Sequence, residues 1–237
     1  MANWSRNNRI TAGILGLIAL GWILIVVVLA IGLPAPEAHA ASKTPRANKV
    51  QIPEHSVQYR LAIERETVAV FGLDASPARI AAQIHQESAW RATAESPYAQ
   101  GLAQFTPATA KWIATVFPED CGSADPWDTG WAIRCAVRYD KWLMDRIDAE
   151  PGCDEWAMVL SAYNGGLGWL NRDIKAARLA GNDPRRWFGH VELTSGRAAW
   201  AMKENRSYPR RILTILEHAY IAAGWDGVPV CAKADAP

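Results

Sequence analysis

Residues 76–90 read SPARIAAQIHQESAW, and the reading of the fold turns on this stretch. Ser76-Pro77 places a helix-capping residue before a proline at the first helical position, where the missing N–H has no intrahelical partner to lose. Ile80, Ala81 and Ile84 follow at helical spacing and make an apolar stripe. Glu87 lies three residues beyond Ile84, on the same side, and so is aimed at the core. An inward acid is costly unless it is paired or unless burial keeps it protonated. A protonated carboxylic acid in an apolar cleft can hand a proton to a leaving oxygen, which is what glycosidic cleavage needs. Taken alone, Glu87 reads first as an ordinary ion-paired helix acid.

Outward from this helix the same signature recurs at Thr106-Pro107 and Asp183-Pro184, where helices are expected to begin. Further helices are predicted over residues 128–149, 154–163 and 207–223, the last stopped by Gly224. Period-two alternation is scarce, and only residues 98–105 and 188–193 could be extended. The fold class is therefore mainly α, with one domain over residues 57–231. Half of the 237 residues are hydrophobic and 21% are charged, which excludes wholesale disorder. With 25 Lys+Arg against 24 Asp+Glu there is no basic field, so nucleic acid is excluded as a partner.

Residues 13–33 carry no charge, and as a helix they would span about 31 Å, enough to cross a bilayer core. Arg6 and Arg9 make residues 1–12 a cytoplasmic flank under the positive-inside rule. Residues 34–56, rich in Pro, Ala, Ser, Lys and Arg, read as a linker. The expectation is an uncleaved signal anchor in the cytoplasmic membrane, with the domain on the periplasmic side. The alternative is cleavage after Ala38-His39-Ala40, which leaves a soluble periplasmic protein.

Export makes disulfides the expected state of Cys121, Cys135, Cys153 and Cys231, and no cysteine spacing suits a metal or cofactor. Four cysteines allow three connectivities. In a helix over 128–149, Cys135 would lie roughly 20 Å from the end that leads to Cys153, and joining Cys121 to Cys153 would require the chain to double back. The expected pairs are Cys121–Cys135 and Cys153–Cys231.

Four blocks carry a family resemblance. They are Glu87-Ser88-Ala89-Trp90, Gly101-Leu102-Ala103-Gln104 with Phe105-Thr106-Pro107, Ala162-Tyr163-Asn164-Gly165-Gly166, and Glu204-Asn205-Arg206-Ser207-Tyr208. In order and spacing they resemble the soluble lytic transglycosylase family of the lysozyme superfamily, over roughly residues 75–215. The resemblance implies a lysozyme-like fold, no cofactor, and peptidoglycan glycan strands as the substrate of a monomer. It makes Glu87 the catalytic acid and base, and Tyr163 the tyrosine whose hydroxyl holds that carboxyl. Ser88, Trp90, Gln104 and Asn164 become substrate-binding residues, and Glu204 and Tyr208 close the far wall of the cleft. Among the ten tryptophans of the domain, no more than two or three are expected at the cleft, with Trp90 the first candidate. Three departures stand out: Tyr98 where a glycine is usual, Ala103 for methionine, and Gly165 for alanine.

The implied reaction cleaves the bond between N-acetylmuramic acid and N-acetylglucosamine and closes a 1,6-anhydro ring, for wall lysis by a phage. The alternatives are a goose-type lysozyme-like muramidase, with Glu95 as a second carboxylate, and a bacterial wall-remodelling enzyme of a secretion or conjugation system. A membrane-anchored wall-binding module without activity is the non-enzymatic alternative.

Overall fold

The computed structural model describes residues 50–233, so the expected membrane helix over 13–33 and most of the linker lie outside the described residues. Among the described residues no helix is long and apolar enough to cross a membrane. A 3₁₀ turn at Glu54–Tyr59 leads into α1 (Arg60–Phe71), α2 (Pro77–Ser88), α3 (Pro107–Val116) and α4 (Pro118–Cys121). There follow α5 (Thr129–Met144), α6 (Cys153–Gly165), α7 (Leu167–Leu179), α8 (Ala199–Arg211) and α9 (Glu217–Ala222). No strand forms among the described residues; two isolated bridges, Glu95 to Gln100 and Gln100 to Phe105, close the loop after α2. The second stretch expected to be extended holds a 3₁₀ turn at Val191–Leu193 instead.

Side-chain caps form at two of these helices, α3 and α5, whereas Ser76, the expected cap of α2, makes no cap hydrogen bond and donates to Glu217 instead. Thr106 accepts from the Thr109 N–H at 3.0 Å, and Asp128 accepts from the Trp131 N–H at 2.5 Å. Asp183-Pro184 departs from expectation and starts no helix. There the Asp183 side chain accepts from the Arg185 N–H at 2.9 Å, an Asx-type turn that competes with helix initiation. α5 stops at Met144, short of the predicted 149. The C-terminal helix is interrupted as well. Pro209 lies inside α8 and removes one N–H, and a π-helical segment at Ile212–Leu216 joins α8 to α9.

α2 is buried almost throughout, from Pro77 to Ile84, and carries Glu87 on its last turn. It packs against α1, α9 and the π segment, while α6 packs against α5, α7 and α8. Cys121–Cys135 and Cys153–Cys231 are both bonded, with Cα separations of 5.9 and 4.9 Å, as the helix-length argument predicts.

Candidate active site

Two residues in the left-handed region, Ala89 at φ 49° and Trp90 at φ 67°, end α2 directly after the acid block. They turn the chain so that Trp90 points inward. It is 1% exposed, stacks on Tyr59 at 5.6 Å, and donates its indole N–H to the Tyr220 hydroxyl at 2.5 Å. Trp90 is thus a core residue, and the expectation that it lines the cleft is corrected. Ser88 is corrected for the same reason: it is buried, and its hydroxyl donates back to the Ile84 carbonyl at 3.4 Å. Among the described residues the exposed tryptophans are Trp112, Trp127, Trp169 and Trp200.

Glu87 keeps a part-exposed edge while protein atoms crowd its carboxyl. The Tyr208 hydroxyl, from α8, donates to Glu87 Oε1. The Tyr163 hydroxyl goes elsewhere, to the Ala103 carbonyl at 2.9 Å, and ties α6 to the loop after α2. The two tyrosines therefore exchange the roles expected of them: Tyr208 holds the acid and Tyr163 braces the wall. Burial is the dominant influence on Glu87 and pushes it from an ordinary 4.5 up to about 8; the Tyr208 hydroxyl pulls the other way, and the charge of Glu204 adds to the rise. Glu204 is exposed, one turn before Tyr208 on α8. Glu95 lines an open hollow together with Ser96, Pro97, Tyr98 and Pro107.

Gln104 does less for a ligand than its residue type suggests. Its Nε2 donates to the Ala94 carbonyl at 3.1 Å and the Gly101 carbonyl at 2.8 Å, which uses both amide protons and leaves only Oε1 to face outward. Its neighbour Gly101 has φ 74°, and a Cβ there would meet the Pro126 carbonyl oxygen at 1.8 Å, so glycine is required. Asn164 sits beside the site, half-buried, with its Oδ1 accepting from Asn205 Nδ2 at 3.0 Å. Asn205 is fixed in turn by the Ser161 hydroxyl at 2.8 Å and the Ser161 carbonyl at 2.9 Å. The departure at Gly165 also has a reason. A Cβ at that position would meet Arg197 Nη1 at 2.0 Å, and Arg197 is held there by Asp173 at 2.9 Å.

Sequence reasoning missed two buried polar residues behind the acid, Gln83 on α2 and Asp140 on α5, hydrogen-bonded at 3.2 Å. The available signal was an acid in mid-helix between Ala136 and Leu143, on an otherwise apolar stripe. Among the described residues no group of His, Cys, Asp and Glu side chains could hold a metal ion.

The described domain is helical, with an enclosed acid under a tyrosine and a wall closed by a loop pinned to the neighbouring helix. Residues 73–184, a little under half of the chain, match the family described as Transglycosylase SLT domain. The membrane-bound lytic murein transglycosylase F of Marinobacter nauticus is 30% identical over 162 residues, which is 67% of this chain and 31% of that protein. The membrane-bound lytic murein transglycosylase F 1 of Alkalilimnicola ehrlichii is 30% identical over 187 residues, 76% of this chain and 33% of that protein. The chain thus spans about a third of the length of these relatives. The 70 kDa soluble lytic transglycosylase SLT70 from Escherichia coli shares the fold with a TM-score of 0.51 at 21% identity, over 73% of this chain and 26% of that one.

Proposed function

We propose that this domain is a lytic transglycosylase that cleaves the β-1,4 bond between N-acetylmuramic acid and N-acetylglucosamine in peptidoglycan. The observation that carries the reading is Glu87, which burial raises to about 8 and which therefore holds its proton at neutral pH. Glu87 gives that proton to the glycosidic oxygen, and the substrate's acetamido group stabilises the positive anomeric carbon. Glu87, now ionised, accepts a hydrogen bond from Tyr208 and takes the proton of the C6 hydroxyl as the 1,6-anhydro ring closes. The same carboxyl is acid and then base, so no water and no second carboxylate enter. Mass spectrometry of digested cell wall tests this: wild type is expected to leave 1,6-anhydro ends, and Glu87→Gln to leave the wall intact.

One observation favours a hydrolytic second reading. Glu204 is a carboxylate close enough to act on Glu87 electrostatically, and it could activate a water. Reducing muramic ends in the same digest would select that reading. For the setting, the apolar stretch at 13–33 supports a tether in the cytoplasmic membrane with the domain in the periplasm. The bacterial relatives named membrane-bound support wall remodelling over phage lysis. N-terminal sequencing of the exported protein tests the tether, and a chain that starts at Ala41 would refute it.

A further inference from the structure

Gln83 lies one helical turn before Glu87 on α2, and Asp140 faces it from α5 with no solvent exposure at all. Gln83 Nε2 donates to Asp140 Oδ1 at 3.2 Å. Two buried acceptors then remain without a donor, Asp140 Oδ2 and Gln83 Oε1. Buried acceptors left in this way are costly. One proton on Asp140 Oδ2 supplies the donor that both lack, because a carboxylic acid and a primary amide match at two points, N–H to oxygen and O–H to oxygen.

We propose that Asp140 works as a neutral acid in a two-point pair with Gln83, and that this pair is a positioning device for Glu87. The proposal rests on the reading of Glu87 as the proton donor.

The groups around Asp140 agree with a held proton. α2 presents Arg79, Gln83 and Glu87, α6 presents Tyr163, α8 presents Tyr208, and Tyr139 precedes it on α5. Arg79 is the one cation of this set, and it is already committed to Glu217 at 2.9 Å. Burial raises Asp140 well above the usual carboxyl range; the Gln83 N–H opposes this, the charge of Glu87 reinforces it, and Arg79 opposes it least. A negative charge on Glu87 favours the proton on Asp140. The site thereby avoids two buried negative charges. Loss of that proton would set Oδ2 against Gln83 Oε1, acceptor to acceptor, and push α2 from α5 one turn away from the acid.

Asparagine at this position mimics the neutral acid permanently, since its amide can donate to Gln83 Oε1 and accept from Nε2. In the full chain acting on cell wall, Asp140→Asn is expected to keep kcat within about threefold, while Asp140→Leu loses roughly ten- to a hundredfold with KM little moved. An Asn variant as impaired as the Leu variant overturns the positioning role. The protonation state has its own readout, the protons released on unfolding at about pH 6.5, measured in a Glu87→Gln background where the acid no longer titrates. Adding Asp140→Asn is expected to lower that number by about one. An unchanged number means that Asp140 is ionised in the folded protein, and the proposal fails. If instead Glu87→Gln leaves wall cleavage intact, the reading of Glu87 falls, and the proton count still decides the state of Asp140.

Discussion

Glu87 must give up a proton in one step and take one back in the next, and its neighbours serve the two steps in opposite senses. Burial favours the neutral acid, and the Tyr208 hydroxyl favours the carboxylate. Tyr208→Phe removes the only donor that Glu87 has among the described residues. The alkaline limb of the pH–rate profile, near pH 8 for wild type, is expected to move upward, and kcat to fall roughly ten- to a hundredfold as the base step suffers. A pH profile of the purified variant checks both. Tyr163→Phe deletes a bond to the Ala103 carbonyl only, so it should shift that limb little. Glu87 also has a stability signature. Its folded pKa, about 8, lies above the ordinary 4.5, so the unfolded chain releases a proton that the fold retains, and stability falls as pH rises from about 4.5 to 8. Glu87→Gln removes this slope, and at pH 7 the inactive variant is expected to be more stable by on the order of 2 kcal/mol, discounted for the part-exposed edge of the residue. Thermal unfolding across that pH range measures it.

The helices show which parts of the fold were legible and which were not. α2, α3 and α5 announce themselves through capping residues and apolar stripes, which depend on neighbours three or four positions away. α1 and α7 give no such start signal. Within the site, the position of Glu87 could be read from one helix. The orienting tyrosine could not, because which hydroxyl reaches the acid depends on how α6 and α8 pack beside α2. Trp90 misleads for a related reason. Adjacency to Glu87 in sequence suggests the cleft, yet two left-handed residues reverse the chain and bury the ring. Element packing also predicts the cost of restoring the family's alanine at Gly165. The new Cβ would meet Arg197 Nη1 at 2.0 Å and Asn205 Nδ2 at 2.8 Å, so the guanidinium must shift against Asp173, which is 3% exposed. Gly165→Ala is expected to cost about 3 kcal/mol, or roughly 6–12 °C in Tm, readable by calorimetry.

At the scale of the whole molecule, the C-terminal tail clamps the far end of the helix that carries the acid. Arg79, near the start of α2, pairs with buried Glu217 and donates to the Val228 carbonyl at 3.3 Å. Ser76 donates to Glu217 at 3.0 Å, and the Ala78 N–H reaches the Asp226 carbonyl at 2.9 Å. His218 Nε2 meets the Cys231 carbonyl at 2.9 Å, and Cys231 is bonded to Cys153 at the start of α6. One disulfide therefore fastens the tail, the start of α2 and the start of α6 together. It closes 78 residues, whereas Cys121–Cys135 closes 14 and joins only α4 to α5. Chain entropy assigns about 4.5 kcal/mol to the long loop and about 3 kcal/mol to the short one. Replacing Cys153 and Cys231 by serine is accordingly expected to lower Tm more than replacing Cys121 and Cys135. It should also lower the denaturant midpoint with a smaller m-value, because a frayed tail exposes surface before global unfolding. Activity should fall with it, since α2 loses its anchor and Glu87 its fixed distance from Tyr208. Equal Tm losses for the two variants, or full activity without Cys153–Cys231, would show that the tail covers α2 without positioning it.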